Sequence, residues 1–173
     1  MKWLHNWSTR VLFLLLIYCP LSCNAFEVAG FKSGISLQEA QTKAAQLGDI
    51  ANRTDTTLAI SRPNSETRGF DTYILLFCEN RLYQLNHPDL FTASSFINLL
   101  TSYINQYGTP DIASGRRPML DYNHQKELEF TWRTESDTMT LGVNSPEKSD
   151  SVPKLVAGII QVYVDTTIQC PRH

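Results

Sequence analysis

The chain has 173 residues, 42% of them hydrophobic and 18% charged, with 15 basic against 17 acidic side chains. That length fits one ordinary domain with a real core. No basic run stands out, which argues against a nucleic-acid partner, and no basic amphipathic helix points to a membrane surface.

Residues 1–25 read as a secretory signal peptide. Lys2, His5 and Arg10 give a basic start, and Val11 to Leu21 is an almost uncharged apolar run. Cys23-Asn24-Ala25 then places small residues at the first and third positions before a cleavage point. The apolar run is roughly half of the ~20 residues that a membrane-spanning helix needs, so no stable membrane insertion is expected after cleavage. Cleavage after Ala25 leaves residues 26–173 as a single domain, periplasmic or secreted. The rival reading is a lipoprotein cut before Cys23. Leu21-Ser22-Cys23 fits it, whereas Pro20 stands where an aliphatic residue belongs. Loss of Lys2 and Arg10 moves the net charge from −2 to −4.

The first helix starts after Ser36. Ser36-Leu37-Gln38-Glu39 is a capping box, in which the hydroxyl and the carboxylate each satisfy a backbone N–H at the helix start. Leu37, Ala40, Ala44 and Leu47 share a stripe, and Gly48 supplies a left-handed stop. Thr56 to Ser61 reads as a short strand ended by Arg62-Pro63-Asn64-Ser65. Phe70 to Cys78 is apolar on both faces towards its end, the pattern of a central strand covered on both sides. Glu79-Asn80 reads as a tight turn, with Arg81 to Leu85 returning as a hairpin.

The second helix spans about Thr92 to Tyr107, with Thr92 as N-cap. Phe96, Leu100, Tyr103 and Tyr107 form its ridge, with Ile97 and Ile104 beside it. Gly108-Thr109-Pro110 ends it. Thr109 to Gln125 reads as a long loop. Leu128, Phe130 and Trp132 then alternate with polar residues, as do Met139, Leu141 and Val143, so two strands with one wet face are expected. Asn144 to Pro153 is a polar loop. Leu155 to Ile168 is the last strand, with Val156, Ile160, Val162 and Val164 on one face.

These elements predict an α+β, two-layer domain: an antiparallel sheet of about six strands with two helices on one face. Each half reads as a capped helix followed by three strands, an αβββ duplication.

Cys78 and Cys170 are the cysteines left after the leader. In an oxidising compartment such a pair is a natural disulfide; the alternative is a buried Cys78 thiol and a separate Cys170 in the tail. The loop from Thr109 to Gln125 carries Arg116, Arg117, Met119, Leu120 and Tyr122. Arg, Met and Tyr are enriched in protein interfaces, so Arg116, Arg117, Met119 and Tyr122 form a candidate interface. The alternative tucks the apolar three onto the sheet and leaves the arginines solvated.

Catalytic patterns are weak. There is no Gly-x-Ser-x-Gly elbow. Gly30-Phe31-Lys32-Ser33-Gly34 lacks phosphate-loop spacing. Cys78 with His87 or His124 would be a nucleophile–base pair, but Cys78 sits in the most apolar strand, where thiols are inert. Asp121-Tyr122-Asn123-His124 offers metal ligands without a complementary cluster. Glu127 and Glu129 read better as solvated strand charges than as an acid–base pair. Catalytic residues, metal and cofactor are therefore expected to be none.

Gly34 to Ala40, the stop at Leu47-Gly48, the hairpin Phe77 to Tyr83 and the helix end Tyr107-Gly108-Thr109-Pro110 together resemble a class of small exported bacterial proteins of unassigned function. Their halves are similar to the helix-plus-antiparallel-sheet modules of β-lactamase inhibitor protein and of small outer-membrane assembly lipoproteins. The resemblance implies a non-catalytic module that binds another extracytoplasmic protein, as an accessory, assembly or inhibitor-like factor. The alternatives are a small extracytoplasmic hydrolase or a small-ligand-binding protein.

Overall fold

The computed structural model describes residues 25–118, 124–145 and 158–170. Residues 1–24 of the leader lie outside them, as do Met119, Leu120 and Tyr122.

A two-stranded hairpin, β1 (Glu27–Val28) and β2 (Phe31–Lys32), leads into helix α1 (Leu37–Gln46). The capping box forms as expected: Glu39 N donates to Ser36 Oγ at 3.2 Å, and Ser36 N donates to Glu39 Oε2 at 2.8 Å. These bonds hold the Glu39 carboxyl below its ordinary value. Leu37, Ala40 and Ala44 are buried, and Gly48 takes φ 75° to end the helix. Asn80, at the tip of a later hairpin, accepts from Leu37 N at 3.1 Å and pins the helix start to the sheet.

Four strands follow: β3 (Ile50–Arg53), β4 (Thr57–Asn64), β5 (Gly69–Cys78) and β6 (Arg81–Leu90). Glu79 and Asn80 both have positive φ, 49° and 60°, the two-residue turn that matches strand twist. Helix α2 (Ala93–Tyr107) comes next, its N-cap Thr92 accepting from Ser95 N. Four more strands complete the chain: β7 (Asp111–Pro118), β8 (His124–Arg133), β9 (Asp137–Ser145) and β10 (Gly158–Asp165). One sheet takes all eight in the order β3-β4-β5-β6-β10-β9-β8-β7, every pairing antiparallel. The fold is α+β.

The sheet has eight strands where the sequence predicts about six, and each helix precedes four strands where three are predicted. The additional strands are β3 and β7, the two outer ones. All four residues of β3 are exposed, and β7 occupies the predicted loop. Edge strands need neither a buried face nor alternation; their partner sets them. Strand β4 also runs through Arg62-Pro63-Asn64. β3 pairs β4 only between Leu58 and Ser61, so Pro63 forfeits no bond on that side.

The core lies on one face. Leu58, Leu75, Leu85, Tyr163, Met139 and Trp132 sit opposite one another in succession across six strands, and all are buried. Ala40 and Ala44 of α1 and Tyr103 of α2 join the same buried cluster, so both helices cover this face. Small residues let α1 approach closely. Arg62 closes the α1 side: its Nε and Nη2 each donate at 2.8 Å to the fully buried Asp49 carboxylate, Nη1 donates to Ala29 O at 3.1 Å, and its guanidinium lies 5.4 Å from the Tyr73 ring centre.

Candidate functional site

Strand β10 turns its polar residues inward. Gln161, Tyr163 and Asp165 are buried with Ile159 on the helix side, whereas Ile160, Val162 and Val164 share the opposite face, half-exposed. That arrangement stands because α2 supplies partners. The Tyr103 hydroxyl donates to Gln161 Oε1 and lies 2.6 Å from the Tyr163 hydroxyl. Burial pushes the ionisation of both tyrosines above the ordinary value, so they act as neutral hydrogen-bonding groups.

The opposite face of the sheet carries no described helix. Alternation from β10 places Ile74 and Leu76 of β5 there, half-exposed; β5 is thus covered on one side rather than two. Across the sheet, Asn52, Ala59, Ile74, Asn86, Val162, Thr140 and Thr131 are successive partners. A second row runs Thr57, Leu76, Gln84, Val164 and Thr138. Pro88, Ile160 and Gly142 form part of a third. A methyl group on Gly142 would come within 2.9 Å of Ile160 Cγ2, so the glycine makes room for that side chain. Nothing in these rows is charged. Charge begins only on β8, with Glu129 and Arg133 on the same face. Alternation also puts Phe70 and Leu90 on this side, 61% and 66% exposed. Ile74, Leu76, Val162 and Val164 flank Gln84 and Asn86 of β6, where Gln84 Nε2 donates to Asn86 Oδ1 at 2.8 Å, so the centre is uncharged and mixes aliphatic with amide side chains, a composition compatible with a protein-binding surface.

The predicted site residues are dispersed. Cys78 and Cys170 meet, with Cα atoms 5.7 Å apart in disulfide pairing. Arg116 and Arg117 lie on β7, the outermost strand, opposite Lys126 and Gln125. The reading of Thr109–Gln125 as a loop is thereby corrected: residues 111–118 pair in register with β8. His87 does not approach Cys78; its Nδ1 is 2.8 Å from Thr72 O and its ring stacks on Tyr73 at 4.6 Å. No group of three or more metal-ligating side chains occurs among the described residues, and none of the described helices is long and apolar enough to cross a membrane. The sequence reading missed the open face because it took β5 as covered twice.

Fold and site define an α+β protein whose antiparallel sheet is sheltered by two helices on one side and, among the described residues, left without a covering element on the other. Comparison with protein-family models, with curated proteins and with solved structures gives no match to this chain.

Proposed function

We propose that the protein is a periplasmic or secreted, non-catalytic interaction module that receives another extracytoplasmic protein on the open face of its sheet. The uncharged rows centred on Ile74, Leu76, Ile160, Val162 and Val164 carry this reading. Docking there removes apolar area from water at roughly 25 cal/mol per Å² without burying a charge. The outer edge of β7, with Arg116 and Arg117, has no partner strand among the described residues and extends the surface by one strand. The leader pattern and the Cys78–Cys170 pairing support an oxidising location.

The same reading takes the chain as a duplicated helix-plus-four-strand unit. The last strands of the two runs, β6 and β10, meet antiparallel at the middle of the sheet. Such a sheet is what the resemblance to β-lactamase inhibitor protein modules and assembly lipoproteins implies.

The test is affinity capture from the native host with the wild-type chain and with Ile74→Lys/Val162→Lys. The reading expects one stoichiometric protein with wild type and its loss from the variant, at equal thermal stability. Equal recovery by both chains removes the open face from the account.

A further inference from the structure

On the helix side, a cleft of about 670 Å³ opens between the β1–β2 hairpin and the last turn of α2. Its walls are aromatic and acidic: Phe26, Tyr103, Tyr107 and Tyr163 with Asp137 and with Glu27, which is paired to Lys32 Nζ at 3.4 Å, and its lining itself has no Lys, Arg or His. The rings form a continuous group. Phe26 lies 6.2 Å from Tyr163 and Tyr103 lies 6.1 Å from Tyr107, while Trp132 packs behind at 5.6 Å from Tyr103.

Three fields of one sign meet at this place. Gln106 and Tyr107 of the last turn of α2 line it, and that turn has no basic residue to offset the negative end of the helix. Asp137 stands directly across from Asp165, which is 5% exposed, and neither has a basic partner among the described residues. Like charges opposite each other on paired strands repel. The ring faces add their own negative quadrupoles. A metal ion would want several hard ligands converging on one point, and no such group occurs among the described residues. A larger cation with apolar substituents fits both the rings and the carboxylates.

We propose that this cleft binds an organic cation, a quaternary ammonium or alkylammonium group, between the tyrosine rings and Asp137. The half-exposed Tyr107 ring takes the alkyl substituents, with Phe26, Tyr103 and Tyr163 packed behind it, and the Asp137 carboxylate balances the charge. The site is independent of docking on the open face, which lies on the other side of the sheet.

Trp132 is the only tryptophan beyond the leader, so it reports on the cleft. The protein purified from the exporting cell, with Trp3→Phe and Trp7→Phe, is titrated with tetramethylammonium chloride and followed by Trp132 fluorescence. Sodium chloride at equal ionic strength is the control. Choline and its uncharged isostere 3,3-dimethylbutan-1-ol are then compared. The expected result is a saturable change absent with sodium, and at least about tenfold weaker binding of the alcohol than of choline, the scale of a partly desolvated cation–π contact. Asp137→Asn and Tyr107→Leu are each expected to weaken choline binding about tenfold or more; two variants are used so that one misfolded protein does not decide the matter. Equal affinity for choline and the alcohol, no saturation with tetramethylammonium, or undiminished binding in the folded variants would each overturn the proposal.

Discussion

Val162 and Tyr163 stand back to back on β10, Val162 on the face that no described helix covers, beside Asn86 and Thr140, Tyr163 buried against Tyr103 and Gln161. The strand therefore turns Ile160, Val162 and Val164 outward and keeps Gln161, Tyr163 and Asp165 in the core beside Ile159. Unpaired, those polar groups would cost about 1–3 kcal/mol each; paired, they fix which way the strand faces.

Which face is core can be read from stability. Leu75 is fully buried, and Leu75→Ala should cost about 2–5 kcal/mol. Val162→Lys, on the half-exposed side, should cost less than about 1 kcal/mol. Urea unfolding of both variants checks this. A larger loss at Val162 than at Leu75 would reverse the two faces.

The tyrosine pair sets the alkaline limit of stability. Tyr103 and Tyr163 ionise above their ordinary value of 10.0 when folded. A raised acid pKa stabilises the fold fully below pH 10, and that stability is lost as pH climbs through the unfolded value towards the folded one. Each such group contributes a slope of about 1.4 kcal/mol per pH unit there. Tyr163→Phe should remove one group's share from the slope of unfolding free energy between pH 10 and 11. An unchanged slope would place the Tyr163 hydroxyl in water.

Asp49 and Arg62 tie the α1 end of the sheet together. The Asp49 side chain is wholly buried and Arg62 also holds Ala29 O. Asp49→Asn leaves the arginine without its countercharge and should lower stability by about 2–3 kcal/mol, discounted from a fully buried pair because Arg62 keeps some exposure. Denaturant unfolding showing a loss below about 0.5 kcal/mol would make this an ordinary surface pair.

Cys78 and Cys170 are placed to close most of the folded chain into one loop. Without reduction, neither should react with an alkylating reagent, and the double alanine variant should lose about 2–4 kcal/mol. Intact mass with and without reduction decides it; two alkylated thiols in the unreduced protein contradict the pairing.

Local signals carried much of the fold. The Ser36–Glu39 box, the Glu79-Asn80 turn and the Thr92 cap each use a few adjacent residues, and each forms where the sequence places it. The alternation of Phe130 and Trp132, and of Met139 and Leu141, also faces the core as read. The missed features depend on distant partners. Tyr103 meets Gln161 and Tyr163 across 58 and 60 residues, and no local pattern announces that Gln161 belongs inside. β3 and β7 form because β4 and β8 offer an edge, not because Ile50–Arg53 or Asp111–Pro118 has a strand's periodicity. The candidate site was legible only in part: Ile160, Val162 and Val164 were placed on one face, but not on the open one.

Arg116→Ala with Arg117→Ala should leave the melting temperature nearly unchanged, since both lie on the outermost strand, and should weaken partner capture. A large fall in melting temperature would assign the arginines to structure.

Photo-crosslinking in the native host tests the central claim most directly. A photoreactive phenylalanine analogue at position 162 or 74 should give one discrete crosslinked protein, and the same analogue at Asn105, exposed on α2, should not. The same adduct from all three positions, or none from 162 and 74 in folded protein, would contradict docking on the open face.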